Sequence, residues 1–277
     1  MLDHVEERAA AKVNLSLHVL GRRVDGYHEL DSIVGFADVA DRLIIKRSSE
    51  NHLAVSGPFA SEVPLGDDNI VWKTWNTLNE LREIPKVSVE LEKNLPVASG
   101  IGGGSADAAA MLRGLLKLSA TKLDDKEIKT FARSLGADVP VCYYGKSCQM
   151  SGIGETISTL NINLPAVILL VNPRKPCETA AVFKAMRLQP GETNATAPSS
   201  LEHGAWRNDM TVAAISIQPV IADVLAALAE TSLQSIRMSG SGATCFGLAN
   251  SMAEVEAAAS LIQAQYPQWW IKPARLL

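Results

Sequence analysis

Cysteine is scarce in this chain. The four residues Cys142, Cys148, Cys177 and Cys245 are scattered, with no CxxC pair and no His-x3-His spacing. That excludes a disulfide framework, gives no sign of a zinc site, and fits reduced thiols in a cytosol. Charge of one sign is lacking as well. Twenty-six Lys and Arg stand against 30 Asp and Glu, a net charge of −4, with no block of like charge. No broad electrostatic footprint for nucleic acid or anionic lipid is visible, so any bound polyanion must be met locally. No stretch approaches the roughly 18 uninterrupted apolar residues of a membrane span, and the N-terminus opens with Asp3, Glu6 and Glu7 rather than a basic segment. Neither export nor membrane insertion is expected, and the chain reads as cytoplasmic. There is no internal repeat. What is present is core-forming material: 47% of the 277 residues are hydrophobic, enough for one large domain or two ordinary ones.

The first half is strand-rich. Residues 11–20, AKVNLSLHVL, alternate apolar Ala11, Val13, Leu15, Leu17 and Val19 with polar Lys12, Asn14, Ser16 and His18, which predicts a strand with Lys12 and Asn14 on one face. DRLIIKR (41–47) and VSVELEK (87–93) read as further strands. From Ala106 to about Leu118 apolar residues recur at helical spacing, and a second helix runs from about Asp124 to Leu135, ending at Gly136. PAVILLVNP (165–173) is a buried strand bounded by prolines. After it come a helix near 178–187, a loop LQPGETNATAPSS, and a helix following Pro219. Two short strands flank SGSGA (239–243), Ser251 and Glu254 form a capping-box pattern before a helix, and WWIKPARLL closes the chain as a strand. The total is mixed α+β. The composition shift near 152–164 is the candidate boundary. Asn194-Ala-Thr196 matches a glycosylation acceptor, but without an export signal it is read as unused.

The stretch PVASGIGGGSA (96–106) places four glycines within 100–104 at the mouth of a helix. Without Cβ atoms, successive amides can converge on an anion, and the helix dipole adds positive partial charge. A phosphate cradle is the direct reading; a tight turn with close packing is the bland one. The commoner cradles drop out. GKS at 145–147 has Pro140 where a P-loop needs glycine, Gly100-x-Gly102 is followed three residues later by Ser105 rather than a third glycine, and the HRD and DFG landmarks of protein kinases are absent.

Three segments together resemble the GHMP kinases. The phosphate loop is Pro96 to Ala106, with Ile101 where leucine is usual and Ala106 where a second serine is common; LGADVPV (135–141) is similar to the family's catalytic-aspartate segment, and SGSGA to its third motif. AKVNLSLHVLGRRVDGYHEL (11–30) is similar to the N-terminal signature of one branch of the family, whose members act on a cytidine diphosphate-linked methylerythritol rather than on mevalonate or homoserine. The resemblance spans nearly the whole chain. It implies an α+β GHMP kinase fold: an N-terminal ribosomal-S5-domain-2-like domain over 1–155, carrying the phosphate loop, and a C-terminal ferredoxin-like α/β sandwich over 156–277. It implies ATP-dependent phosphorylation of the substrate's 2-hydroxyl in the non-mevalonate route to isoprenoid precursors. Asp138 would take the hydroxyl proton and Lys12 would stabilise the transferring phosphoryl group. ATP would be held by Pro96, Val97, Ala98, Ser99, Gly100, Ile101, Gly102, Gly103, Gly104, Ser105 and Ala106. The substrate would meet Asn14, Tyr27, His28, Thr179, Phe183, Gly240 and Gly242, with Tyr27 and Phe183 sandwiching cytosine and His28 reading its edge.

Read from the residues alone, Asp138 could be a turn residue before Pro140, Lys12 a solvated strand lysine, Phe183 core, and SGSGA a plain hairpin. Mg²⁺ is inferred from the reaction, with its ligands unassigned. The partners expected are small molecules, with no nucleic acid or membrane, on a monomer or weak homodimer. The competing readings are another GHMP kinase with a different alcohol, and a non-catalytic nucleotide- or RNA-binding module.

Overall fold

The structure, a computed structural model, describes residues 2–160, 164–193 and 206–277. The chain forms two compact units, each assembled from several stretches. One comprises Met1–Ala11, Val39–Val97 and Gly102–Gly145, the other Lys12–Asp38, Ala98–Ile101 and Lys146–Leu277. The long strands β1 (His4–Asn14) and β3 (His28–Arg47) contribute residues to both.

In the first unit, Arg42–Arg47 of β3 pair antiparallel with β5 (Val87–Glu92), and β5 pairs in parallel with β4 (His52–Ser56). The unit also holds α1 (Ile70–Leu81), α2 (Gly103–Ser119), α3 (Asp125–Leu135) and α4 (Val139–Tyr144), with α2 in contact with each of the other three. The caps are written in the sequence: Asn69 accepts the Val71 amide to start α1, and Asp124 with Glu127 forms a capping box on α3. Helix α2 is the central element. Its small residues Ala106, Ala108, Ala109, Ala110 and Gly114 are buried beside Met111, Leu112, Leu115 and Leu118, and each of the larger side chains contributes about 1.5–3 kcal/mol through burial. Glu7 of β1, buried, accepts Arg113 at 2.9 Å and Lys117 at 2.5 Å and so ties β1 to the same helix.

In the second unit, β2 (His18–Arg22) and β6 (Cys148–Gly152) pair with the first half of β3, and β6 pairs with β7 (Thr156–Thr159). A separate antiparallel sheet has the order β11 (Trp270–Arg275), β8 (Val167–Asn172), β10 (Cys245–Ala249), β9 (Gln234–Met238). Helices α5 (Thr179–Ala185), α6 (Thr211–Ile217) and α7 (Val220–Ala229) fall between β8 and β9, and α8 (Met252–Gln265) between β10 and β11. That is the β-α-β-β-α-β path of a ferredoxin-like sandwich. Its core includes Leu169, Val171, Ile221, Val224, Leu228, Val255 and Ile262.

Most sequence-based expectations match these elements, with instructive differences. The alternation over 11–20 is two strands: β1 stops at Asn14, the amides of Leu15 and Ser16 both donate to Ile33, and β2 begins at His18. Helix α2 begins at Gly103, so two of the glycines lie in its first turn. Helices α1, α4 and α6 and strands β4, β6 and β7 carried no strong periodic signal. The Asn194 acceptor lies outside the described residues. Among the described residues no helix is long and apolar enough to cross a membrane.

Candidate active site

The glycine loop is shaped by its carbonyls. Those of Ala98, Ser99, Gly100 and Ile101, all in the second unit, accept the amides of Cys177 and Thr244, the Ser239 hydroxyl and the Lys12 amide, at 3.2, 3.1, 2.9 and 3.0 Å. With successive carbonyls drawn back, the opposite edge of the peptide chain is left to its N–H groups. Gly100 has φ +77°, and a Cβ there would collide with the Ser239 carbonyl and stand 2.8 Å from the Gly242 amide. Gly240 repeats the pattern at φ +55°, where a Cβ would lie 2.7 Å from the Gly100 carbonyl oxygen. The two glycine motifs are therefore pressed together, backbone on backbone, and the plain-hairpin reading of SGSGA is insufficient.

In the first unit the chain enters α2 through Gly102, in the left-handed region, with no acidic side chain in the first turn. The opening amides Gly103, Gly104 and Ser105 have no acceptor within the helix. Gly104 is exposed, while Pro96, Gly103 and Ala106 are buried and Val97 is exposed. This helix end presents unmatched donors and a positive dipole with no carboxylate of its own turn to mask them. Asp138 takes the N-cap position of α4, yet its side chain makes no capping hydrogen bond. An aspartate usually spends its carboxylate there; this one does not.

The second unit supplies a buried polar face on β1. Lys12 is 3% exposed, and its charge opposes part of the burial effect that pushes the Cys148 thiol up to about 11. Asn14, on the same face, donates Nδ2 to Ser32 at 2.7 Å and its amide to Ser239 Oγ at 3.0 Å. Its Oδ1 is buried without a hydrogen-bond partner among the described residues, an acceptor left over for a ligand. Thr179 Oγ1 and Ser241 Oγ share a 2.8 Å hydrogen bond, and the Gly242 amide donates to Ser239 O at 3.0 Å.

His28 and Phe183 stack on each other, centroids 4.2 Å apart and planes 16° from parallel. Tyr27 is 61% exposed. His28 Nε2 is buried without a partner among the described residues, and burial, with Arg22 adding, lowers the imidazole pKa. The stacked pair thus places an aromatic face beside a ring nitrogen that no described residue satisfies.

Sequence reasoning missed the supports. Asn208 donates to the Met238 and Gly240 carbonyls, each at 2.8 Å, and accepts the Met210 amide at 2.9 Å, pinning the SGSG turn. Its neighbour Asp209 accepts the Val19 amide and Arg207, a scaffold role. Ser16, Ser32 and Ser239 were equally silent. Nothing local distinguishes a buried serine that bridges strands from a surface one.

The chain matches the family model of the GHMP kinases N terminal domain over residues 69–146 and that of the GHMP kinases C terminal over 192–268. It is 47% identical to 4-diphosphocytidyl-2-C-methyl-D-erythritol kinase of Paramagnetospirillum magneticum, covering 97% of each chain. To the same-named kinase of Bradyrhizobium diazoefficiens it is 44% identical, over 98% of this chain and 97% of the relative. A crystal structure of 4-(cytidine 5'-diphospho)-2C-methyl-D-erythritol kinase superposes with a TM-score of 0.81 at 30% identity, covering 98% of this chain and 99% of that one. A homoserine kinase from Cytophaga hutchinsonii, 17% identical with a TM-score of 0.73 over 100% of this chain and 96% of its own, shares the fold. The chain belongs to the GHMP kinases, in the family of the 4-diphosphocytidyl-2-C-methyl-D-erythritol kinases.

Proposed function

We propose that the chain transfers the γ-phosphoryl group of ATP to the 2-hydroxyl of 4-diphosphocytidyl-2-C-methyl-D-erythritol, a step towards isoprenoid precursors. The observation that carries the reading is the glycine loop: its carbonyls are tied back to scaffold and the donor-rich end of α2 follows it. The phosphates of ATP fit those donors because Gly104 is exposed with open space where a Cβ would stand.

The accepting oxygen is tertiary and hindered, so orientation and deprotonation are what the protein must supply. Asp138, whose carboxylate is not used as a cap, takes the hydroxyl proton as the new O–P bond forms. The bond from the γ-phosphorus to the bridging oxygen breaks and ADP leaves. Lys12, buried on β1, offsets the charge on the phosphoryl oxygens in the transition state. Asn14 Oδ1 accepts from a substrate hydroxyl, Thr179 and the Gly240–Gly242 turn face the diphosphate, and Tyr27, His28 and Phe183 hold cytosine by stacking and by its hydrogen-bonding edge. Mg²⁺ would arrive with ATP and offset the charge of its phosphates. Four free, buried cysteines suit a cytoplasmic setting; the protein acts there as a monomer or weak homodimer.

A coupled ADP-release assay on wild type and Asp138→Asn tests this, with the cytidylated substrate run beside its free sugar alcohol, mevalonate and homoserine. Turnover of the cytidylated substrate alone, lost in the variant, is expected. Turnover of another alcohol would overturn the substrate assignment, and an active variant would overturn the role of Asp138.

A further inference from the structure

Two buried carboxylates in the first unit share one ammonium. Lys93, just past β5, places Nζ 2.5 Å from Asp41 Oδ2 of β3 and 2.5 Å from Asp107 Oδ2 of α2, with side-chain exposures of 3%, 0% and 4%. The bonds around this cluster show what it holds. Asp41 Oδ1 accepts the amides of Asn94 and Leu95 at 2.5 and 2.8 Å, the residues that lead into Pro96. Lys93 is itself fixed by backbone bonds to Ser56 and from Phe59. On the other side of the loop, Asp107 lies four residues beyond Gly103 and therefore on the same helix face. The Lys93 ammonium stands 3.4 Å from where a Cβ on Gly103 would be. Asp41 grips the chain entering the glycine loop, Asp107 grips the helix leaving it, and Lys93 joins the two.

One ammonium balances one carboxylate. Among the described residues Asp107 Oδ1 is buried without a hydrogen-bond partner, and leaving an ionised oxygen so is costly, so the geometry favours a proton held between the carboxylates. Burial, only partly countered by Lys93 and reinforced by Asp41, pushes Asp107 up to about 8. Burial works against the Lys93 charge too, but the two carboxylates outweigh it and its pKa stands raised. Lys93 and Asp41 are the charged groups that act on Asp107.

We propose that Asp41, Lys93 and Asp107 form a clamp that positions the glycine loop for the ATP phosphates, and that the clamp works with Asp107 as a neutral acid. This rests on the reading that the loop binds ATP. An ionised Asp107 would set an unbalanced negative charge one turn inside the helix end, opposing the dipole and repelling the phosphates. ATP therefore binds the protonated clamp in preference.

The test is KM for ATP and kcat of the full chain and of Asp107→Asn at pH 7 and pH 9, with MgATP, whose own phosphate ionisation near pH 6 is complete in that window. Wild type is expected to show a severalfold rise in KM for ATP, approaching about tenfold where the ionised form does not bind at all, with a smaller change in kcat. Asparagine keeps the shape, accepts from Lys93 and donates to Asp41, so the variant's KM is expected to stay flat. A flat wild type, or a variant that rises in parallel, overturns the clamp. A second readout needs no turnover: calorimetry of a non-hydrolysable ATP analogue at pH 8 in two buffers of different ionisation heat. Wild type is expected to take up about half a proton at most, and the variant none. Binding without uptake in wild type overturns the clamp and leaves the ATP reading standing, whereas no binding of the analogue overturns the ATP reading itself. If Asp107→Asn fails to fold, the wild-type profile and uptake decide alone.

Discussion

Ser239 is the perturbation with the clearest arithmetic. Its hydroxyl, fully buried, accepts the Asn14 amide at 3.0 Å and donates to the Gly100 carbonyl at 2.9 Å. Ser239→Ala leaves a buried donor and a buried acceptor unpaired in a site walled by Gly240 and Gly100. Each orphan costs about 1–3 kcal/mol, and allowing the loop to relax gives about 2–4 kcal/mol in total. For a chain of this size that corresponds to a fall in Tm of roughly 4–16 °C. The same loss frees the Gly100 carbonyl, one of the four anchors of the loop, so KM for ATP is expected to rise severalfold with a smaller change in kcat. The assay is urea unfolding followed by circular dichroism, beside ADP release at saturating second substrate. Ser260→Ala is the control, an exposed hydroxyl bonded only to Glu256 O of its own helix, expected within about 0.5 kcal/mol of wild type. A Ser239→Ala protein that unfolds with the control and keeps its KM for ATP would refute the claim that these two bonds hold the loop.

Phe183→Ala removes the ring stacked on His28; with base stacking worth about 1–3 kcal/mol, KM for the cytidylated substrate is expected to rise about 5- to 150-fold while KM for ATP holds, and an equal rise in both would contradict the assignment. Burial raises the thiols of Cys148, Cys177 and Cys245, Cys148 to about 11, so native protein at pH 8 should resist a thiol reagent and release all four on denaturation; rapid native labelling of these cysteines would show the packing to be wrong. Burial, with Arg207 adding, lowers the His18 pKa, and both ring nitrogens are buried without partners among the described residues. The unfolded chain then binds a proton near pH 6.5 that the folded one refuses, so this histidine's share of stability is present above pH 6.5 and lost as pH falls below it. The stability of wild type relative to His18→Phe should therefore fall from pH 7.5 to 5.5, a comparison in which the Asp107 contribution cancels; a difference independent of pH would refute it.

Much of the fold was legible because strong local patterns agreed with the final packing. The all-buried run VILLVN, the helix start near Asp124, the capping pair at Ser251 and the glycine stop at Gly136 each reappear as elements. The long β1 and β3 were only partly legible, because their burial changes character along their length and the partners of β3 differ from end to end. The glycine loop announced itself by composition; Asn208, Ser239 and the Asp41–Lys93–Asp107 cluster did not. Their partners lie as many as 225 residues away, and a lysine or serine reads the same whether it is solvated or buried in a network. Lys12 and Asp138 likewise drew their meaning from the family resemblance, since alternation alone favoured an ordinary strand lysine and the residues alone left Asp138 evenly balanced between a turn and catalysis.

Phosphorus NMR of the product mixture tests the central claim most directly. The 2-hydroxyl of the proposed substrate sits on a carbon that bears a methyl group and no hydrogen. A phosphate placed there has no proton three bonds away. Incubation with ATP and 4-diphosphocytidyl-2-C-methyl-D-erythritol should convert the ATP γ signal, one for one, into a phosphomonoester singlet in the proton-coupled spectrum. A monoester split by carbinol protons would place the phosphate on a different oxygen, and growth of inorganic phosphate alone would mean that the chain hydrolyses ATP without transferring it.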